Sequence, residues 1–76
     1  MSAIFKRSVS IRGHRTSFSL EQPFHEELLR IAGIRKMPLA QLVGEIDETR
    51  DRQTNLSSAL RLHVLDWYRA QHRSSS

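Results

Sequence analysis

The chain has 76 residues, no cysteine and a formal net charge of +4. That length allows one domain with a small core, of a size that often needs a staple or an oligomeric partner, and the lack of cysteine excludes disulfides and thiolate metal sites. No apolar run is long enough to cross a bilayer, and residues 1–11 lack the apolar stretch of a secretory signal, so a cytoplasmic protein with no membrane partner is expected.

Residues 1–13 read as a basic N-terminal arm. Lys6, Arg7, Arg12 and Arg15 lie in an acid-free stretch, whereas from Glu21 onward bases and acids balance, so the whole charge excess sits where a polyanion would touch. A solvated basic tail is the plainer alternative. Residues 8–12 alternate in polarity, and Gly13-His14 separates them from a stronger strand over residues 14–20. In that strand Thr16, Phe18 and Leu20 share one face and Arg15, Ser17 and Ser19 the other. Two pairings are open. A type II′ turn at Gly13-His14 would fold residues 8–12 onto 15–19 within one chain. Otherwise the strand pairs with the same strand of a second copy, which satisfies its exposed backbone groups across a twofold axis.

A helix is expected after Leu20, with Pro23 in its first turn, acids Glu21, Glu26 and Glu27 near its positive end, and Phe24, Leu28, Ile31 and Ala32 on its apolar side. Residues 33–36 end it. A second helix opens at Met37-Pro38 and carries Leu39, Leu42, Val43 and Ile46 at i, i+3, i+4, i+7. Residues 47–54 are wholly polar, a helix end running into a linker. A third helix starts near Asn55 or Ser57 and continues to about Gln71. Leu56, Ala59, Leu60, Val64, Trp67 and Tyr68 form its apolar side, Leu62 and Leu65 widen it, and residues 73–76 should fray.

The ordered combination of GHRTSFSLE, two short amphipathic helices and NLSSALR resembles the ribbon-helix-helix superfamily, the class of the Arc and methionine repressors, and within it a bacterial subfamily with an added C-terminal helix. The resemblance covers roughly residues 14–46. It implies a mainly α fold with one β-strand per chain, a core over residues 14–50, and residues 51–76 as linker and C-terminal helix. It also favours the intermolecular ribbon, with the Leu39, Leu42, Val43, Ile46 stripe packed on its symmetry mate in a homodimer. Lys36 falls where the family usually has glycine; a left-handed Lys36 would cost about 1 to 2 kcal/mol.

A two-stranded ribbon fits the major groove of DNA. On this reading Arg15 donates a bidentate pair to guanine, and Ser17 and Ser19 contact bases less selectively. Lys6, Arg7 and Arg12 touch phosphates, as do the Leu39 and Ala40 amides at the start of the second helix, where Pro38 replaces the Ser or Thr common in relatives. The expected function is a double-stranded-DNA-binding transcriptional regulator, a repressor by occlusion. The rivals are an antitoxin-like or scaffold module whose third helix binds a protein partner, and a single-chain hairpin that binds RNA. His14, His25, His63 and His72 show no convergent ligand set, although His63 and Asp66 share a helical face, so no metal or other cofactor is expected. Glu45, Asp47, Glu48 and Asp51 lie in a wet, charged stretch without a nucleophile–base pair, so no enzymatic activity is expected.

Overall fold

Arg12 and Gly13 have φ of 49° and 80°. Two consecutive left-handed residues make a type I′ turn, whose twist matches that of the strands it joins. In the computed structural model, which describes residues 3–74 and the side chains of residues 3–72, this turn folds β1 (Ile4–Ile11) antiparallel onto β2 (His14–Glu21). The register runs from Ile11 opposite His14 to Ile4 opposite Glu21. Three helices follow: α1 (Gln22–Ile34), α2 (Leu39–Thr49) and α3 (Leu56–Ser74).

The strand expected over residues 14–20 is present, but it finds its partner within its own chain. Of the two open pairings the hairpin is the one observed, with its turn at Arg12-Gly13 and not at Gly13-His14. The segment read as a basic arm is therefore largely a strand. Met1 and Ser2 of that arm, and Ser75 and Ser76 of the tail expected to fray, lie outside the described residues.

Opposed residues share a face of the sheet. The inner face carries Phe18 and Leu20, with Val9 and Ile11 beside them, against the helices. α2 packs on β1, α1 and α3 pack on β2, and the helices pack on one another. α2 crosses β1 closely, and a Cβ at Gly44 would stand 3.2 Å from Ile11 Cγ2. Leu28, Ile31, Leu42, Val43 and Leu60 are fully buried and Ile46 nearly so. The α2 stripe thus finds cover within one chain. The expectation that so short a chain could bury it only against a second copy is corrected: β1 and α3 supply the missing surface.

Helix ends follow local chemistry. α1 starts with Gln22-Pro23, where the missing proline N–H is harmless. At its other end the Lys36 amide donates to Gly33 O (3.1 Å) and the Met37 amide to Ala32 O (3.0 Å). This is a Schellman cap, and it requires the left-handed φ of 58° that Lys36 adopts. α2 extends three residues beyond Ile46, to Thr49. Asn55 caps α3, its Oδ1 accepting from the Ser58 amide at 2.8 Å. Leu56, Ala59, Leu60 and Val64 of α3 are buried and Trp67 packs partly against the core, so this helix closes the domain. Tyr68 is more exposed and bonds to Glu27 and Arg30 of α1.

Three substitutions check this packing and the helix cap. Leu60→Ala removes a fully buried side chain and should lower the unfolding free energy by about 2 to 5 kcal/mol in denaturant titration. Leu62→Ala on the exposed side of α3 should change it by less than about 0.5 kcal/mol. Lys36→Gly should raise it by up to about 1 kcal/mol, since glycine takes the left-handed cap without the Cβ penalty.

Candidate nucleic-acid interface

Period-2 alternation and the observed register assign the outer face of the hairpin without ambiguity. It presents Ile4, Lys6, Ser8 and Ser10 from β1 and Arg15, Ser17, Ser19 and Glu21 from β2, with Lys6 opposite Ser19, Ser8 opposite Ser17 and Ser10 opposite Arg15. The result is a hydroxyl-rich ribbon with a cation toward each end. Lys6, Ser8, Ser10, Arg15 and Ser17 are exposed. Ser19 is half-buried because α3 begins against it: the Ser19 amide donates to Ser57 Oγ at 2.9 Å.

The expected phosphate contacts separate into three places. Lys6 shares the outer face with Arg15, Ser17 and Ser19. Arg7 lies opposite Phe18 on the inner face, where it donates to Gln22 Oε1 at 2.9 Å and its guanidinium stands 5.8 Å from the centre of the Phe5 ring. Arg12, at the hairpin tip, pairs with Glu48 at 3.3 Å in an exposed ion pair, a contact of a kind that contributes little and is readily exchanged. Ala40 lines a shallow cleft with Ser10, Arg12, Pro38, Gln41 and Glu48 at that tip, while Leu39 packs partly against the core. The first α2 amides bonded to Pro38 O are those of Gln41 and Leu42, so the Leu39 and Ala40 amides occupy the terminal positions that a helix leaves without an internal acceptor.

Charge pairing involves five of the arginines, while among the described residues Lys36, Arg52 and Arg69 lie outside it, as do the two cations of the outer face. Arg12, Arg30, Arg35, Arg50 and Arg61 form ion pairs with Glu48, Glu27, Glu45, Asp47 and Glu21. Among the described residues neither Lys6 nor Arg15 enters an ion pair or a hydrogen bond. Sequence reasoning missed Ser8 and Ser10 as part of this surface, although their alternation was visible, because the segment was assigned to an arm.

The acidic residues considered for chemistry are largely spoken for by these ion pairs. The carboxyl of Glu27 is held below its usual range by the Tyr68 hydroxyl and then by Arg30. That of Glu21 is lowered by a backbone hydrogen bond and then by Arg61. Among the described residues no group of three His, Asp or Glu side chains is placed to hold a metal ion. No described helix is long and apolar enough to cross a membrane.

Two histidines report on the interior instead. His25 on α1 is buried, and desolvation followed by the nearby Arg7 charge lowers its pKa. His63 on α3 is lowered by desolvation and then by Arg35. Both therefore favour the neutral ring in the folded chain, while in the unfolded chain they titrate near the ordinary value of about 6.5. Their contribution to stability is complete above that value and is lost as pH falls from it through the lowered folded values. The melting temperature should thus drop on acidification from pH 7 to 5. His25→Leu, which also removes a buried Nδ1 without a hydrogen-bond partner, should flatten part of that slope in calorimetry, and its combination with His63→Gln should flatten more.

Comparison with known proteins agrees with the hairpin and the helices behind it. No curated protein and no solved structure matches the chain significantly. A family described as the ribbon-helix-helix domain matches residues 4–68, from the first residue of β1 through Tyr68 of α3. Domains of this family are generally DNA-binding transcription regulators or antitoxins, typically non-enzymatic, and they generally dimerise. The match spans the hairpin, α1, α2 and most of α3, and the chain belongs to the ribbon-helix-helix domain family.

Proposed function

We propose that this protein is a sequence-specific DNA-binding transcriptional regulator of the bacterial cytoplasm, acting as a homodimeric repressor that occludes its site. The observation that carries the reading is the outer face of the hairpin: two cations, Lys6 and Arg15, in no ion pair among the described residues, on a row of largely exposed serines. A two-stranded antiparallel ribbon has the width of the major groove. Arg15 donates a bidentate pair to guanine, and Ser17 and Ser19, joined by Ser8 and Ser10, contact base edges with less discrimination. Lys6 anchors a phosphate. Arg12 and the amides of Leu39 and Ala40 are further phosphate contacts at the hairpin tip, once Arg12 exchanges Glu48 for the polyanion. Arg7, turned toward Gln22, supports the hairpin and contacts phosphate only if it swings out of that bond.

A second reading, an antitoxin-like or scaffold module that binds a protein through α3, is favoured by one observation. Leu62 and Leu65 are 53% and 43% exposed and line an apolar groove with Pro23, Phe24 and Tyr68. The same helix buries its opposite side in the core, so it serves the fold whichever reading holds.

The two readings separate in a salt-controlled binding titration against selected genomic fragments. Arg15→Ala should weaken specific binding by about 1 to 3 kcal/mol and relax base preference. Lys6→Ala should weaken all sequences alike and reduce the salt slope by about 1. Unchanged binding by Arg15→Ala would remove the outer face as the reading surface. Retained DNA binding with loss of a protein partner in Leu62→Asp would favour the second reading.

A further inference from the structure

Between α1 and α3 runs a groove with a volume of about 390 Å³. Its walls are Pro23 and Phe24 from α1 and Leu62, Val64, Leu65 and Tyr68 from α3. Leu62, Leu65 and Tyr68 stay exposed there, although the core has room for large side chains of the same helix such as Leu56 and Leu60. The charged residues of the lining are Arg61 and Glu27, and both are already neutralised. At one end Arg61 Nε donates to Glu21 Oε1 at 3.0 Å. At the other, Glu27 accepts from Arg30 Nε at 3.0 Å and from the Tyr68 hydroxyl. That hydroxyl also accepts from Arg30 Nη2 at 3.1 Å, so it is engaged both as donor and as acceptor. Arg61 and Tyr68 are two helical turns apart on α3, about 10.5 Å. The groove is thus a short apolar trough stopped at each end by an ion pair.

We propose that this trough is a binding site for a small, neutral, largely apolar molecule of the size of a fused or linked aromatic ring system. Its volume lies inside the roughly 300 to 1,000 Å³ of small-molecule sites, toward the lower end. Its walls stand on helices that the core already fixes through Leu28, Ile31 and Leu60, so the site is formed before a ligand arrives. The charges at its ends cancel in pairs, so a charged ligand meets no unmatched partner there and gives up hydration against an apolar wall. The same ends disfavour a macromolecule. A stable protein interface covers about 800 Å² on each partner. Apolar contact that stops after two turns reaches such an area only by burying both ion pairs, and their desolvation is costly. None of the lining residues belongs to the outer face of the hairpin. The inference therefore goes beyond the DNA-binding reading and does not depend on it, while it competes with the protein-partner reading for Leu62 and Leu65.

The test uses two fluorescent probes on the intact chain: N-phenylnaphthylamine, which is neutral and brightens in apolar surroundings, and anilinonaphthalene sulfonate, the same ring system carrying a negative charge. The neutral probe should bind saturably, one per chain, and about tenfold or more tighter than the sulfonate. Leu65→Gln puts an amide into the wall at a position the fold leaves exposed, and should weaken the neutral probe by about tenfold or more. Leu62→Gln should do the same. Leu29→Gln changes a comparably exposed leucine of α1 outside the groove and should leave binding as it is. If one groove variant loses the parent's circular dichroism, the other and the comparison of probes decide. Sulfonate binding as tight as that of the neutral probe, or tighter, would overturn the proposal. So would a loss in Leu29→Gln equal to that in Leu65→Gln, which marks scattered adsorption, or one probe per two chains, which places the site between copies. Absence of saturable binding overturns it too, and together with loss of a protein partner in Leu62→Asp it assigns the groove to the protein-partner reading.

Discussion

The two-residue turn at Arg12-Gly13 is the constraint on which the other features depend. Placing Arg12 in the left-handed region costs roughly 1 to 2 kcal/mol, and Gly13 accepts its φ of 80° with open space around it. In return the turn lets β1 satisfy one edge of β2 without a second chain. It also fixes parity. With Ile11 opposite His14, Lys6, Ser8 and Ser10 must share a face with Arg15 and Ser17, while Phe18 and Leu20 must face the helices. A turn one residue longer or shorter would move β1 by one position and send Lys6 and Ser8 inward.

Once β1 lies beside β2, the sheet offers an inner surface wide enough to carry three helices, and α3 becomes part of the fold. Its first turn does two jobs. Leu56, Ala59 and Leu60 enter the core, and Ser57 accepts from the Ser19 amide on the edge of β2 away from β1, so that the strand leading into α1 is closed on one side by β1 and at Ser19 on the other by α3. That arrangement explains why α2 needs no second copy to bury Leu42 and Val43.

Much of this was legible in the residues. The spacing of Phe24, Leu28 and Ile31, the stripe of Leu39, Leu42, Val43 and Ile46, and the Asn55 cap each named a helix in its place, and GHRTSFSLE with NLSSALR pointed to the family. The observed φ of Lys36 follows from the anticipated missing glycine. The hairpin was harder to read because a turn of two positive-φ residues is usually announced by Asn-Gly or Asp-Gly, and arginine at the first position conceals it. The inward turn of Arg7 was hidden for a related reason: a cation in a basic run looks solvated until the register places it opposite Phe18, above Gln22. Burial of His25 was concealed by its polar type, since it lies only one position from the Phe24, Leu28 side of α1. Tyr68, expected in the core, stays more exposed because its hydroxyl is engaged by Glu27 and Arg30.

The ion pairs have a consequence for how the net charge acts. Arg30, Arg35, Arg50 and Arg61 each lie within 3.0 Å of a carboxylate oxygen, far inside the roughly 8 Å screening length of physiological salt. Seen from a few ångströms into solvent, those charges largely cancel. Lys6 and Arg15 do not cancel. Arg15 and Ser19, the residue opposite Lys6, are four positions apart on β2, a separation of about 13 Å along the strand, so the two cations act as separate charges at the two ends of the same hydroxyl-lined row. Two of the cations that stay outside the ion pairs thus stand on one face of the hairpin, where their separation lets them orient a polyanion as well as attract it.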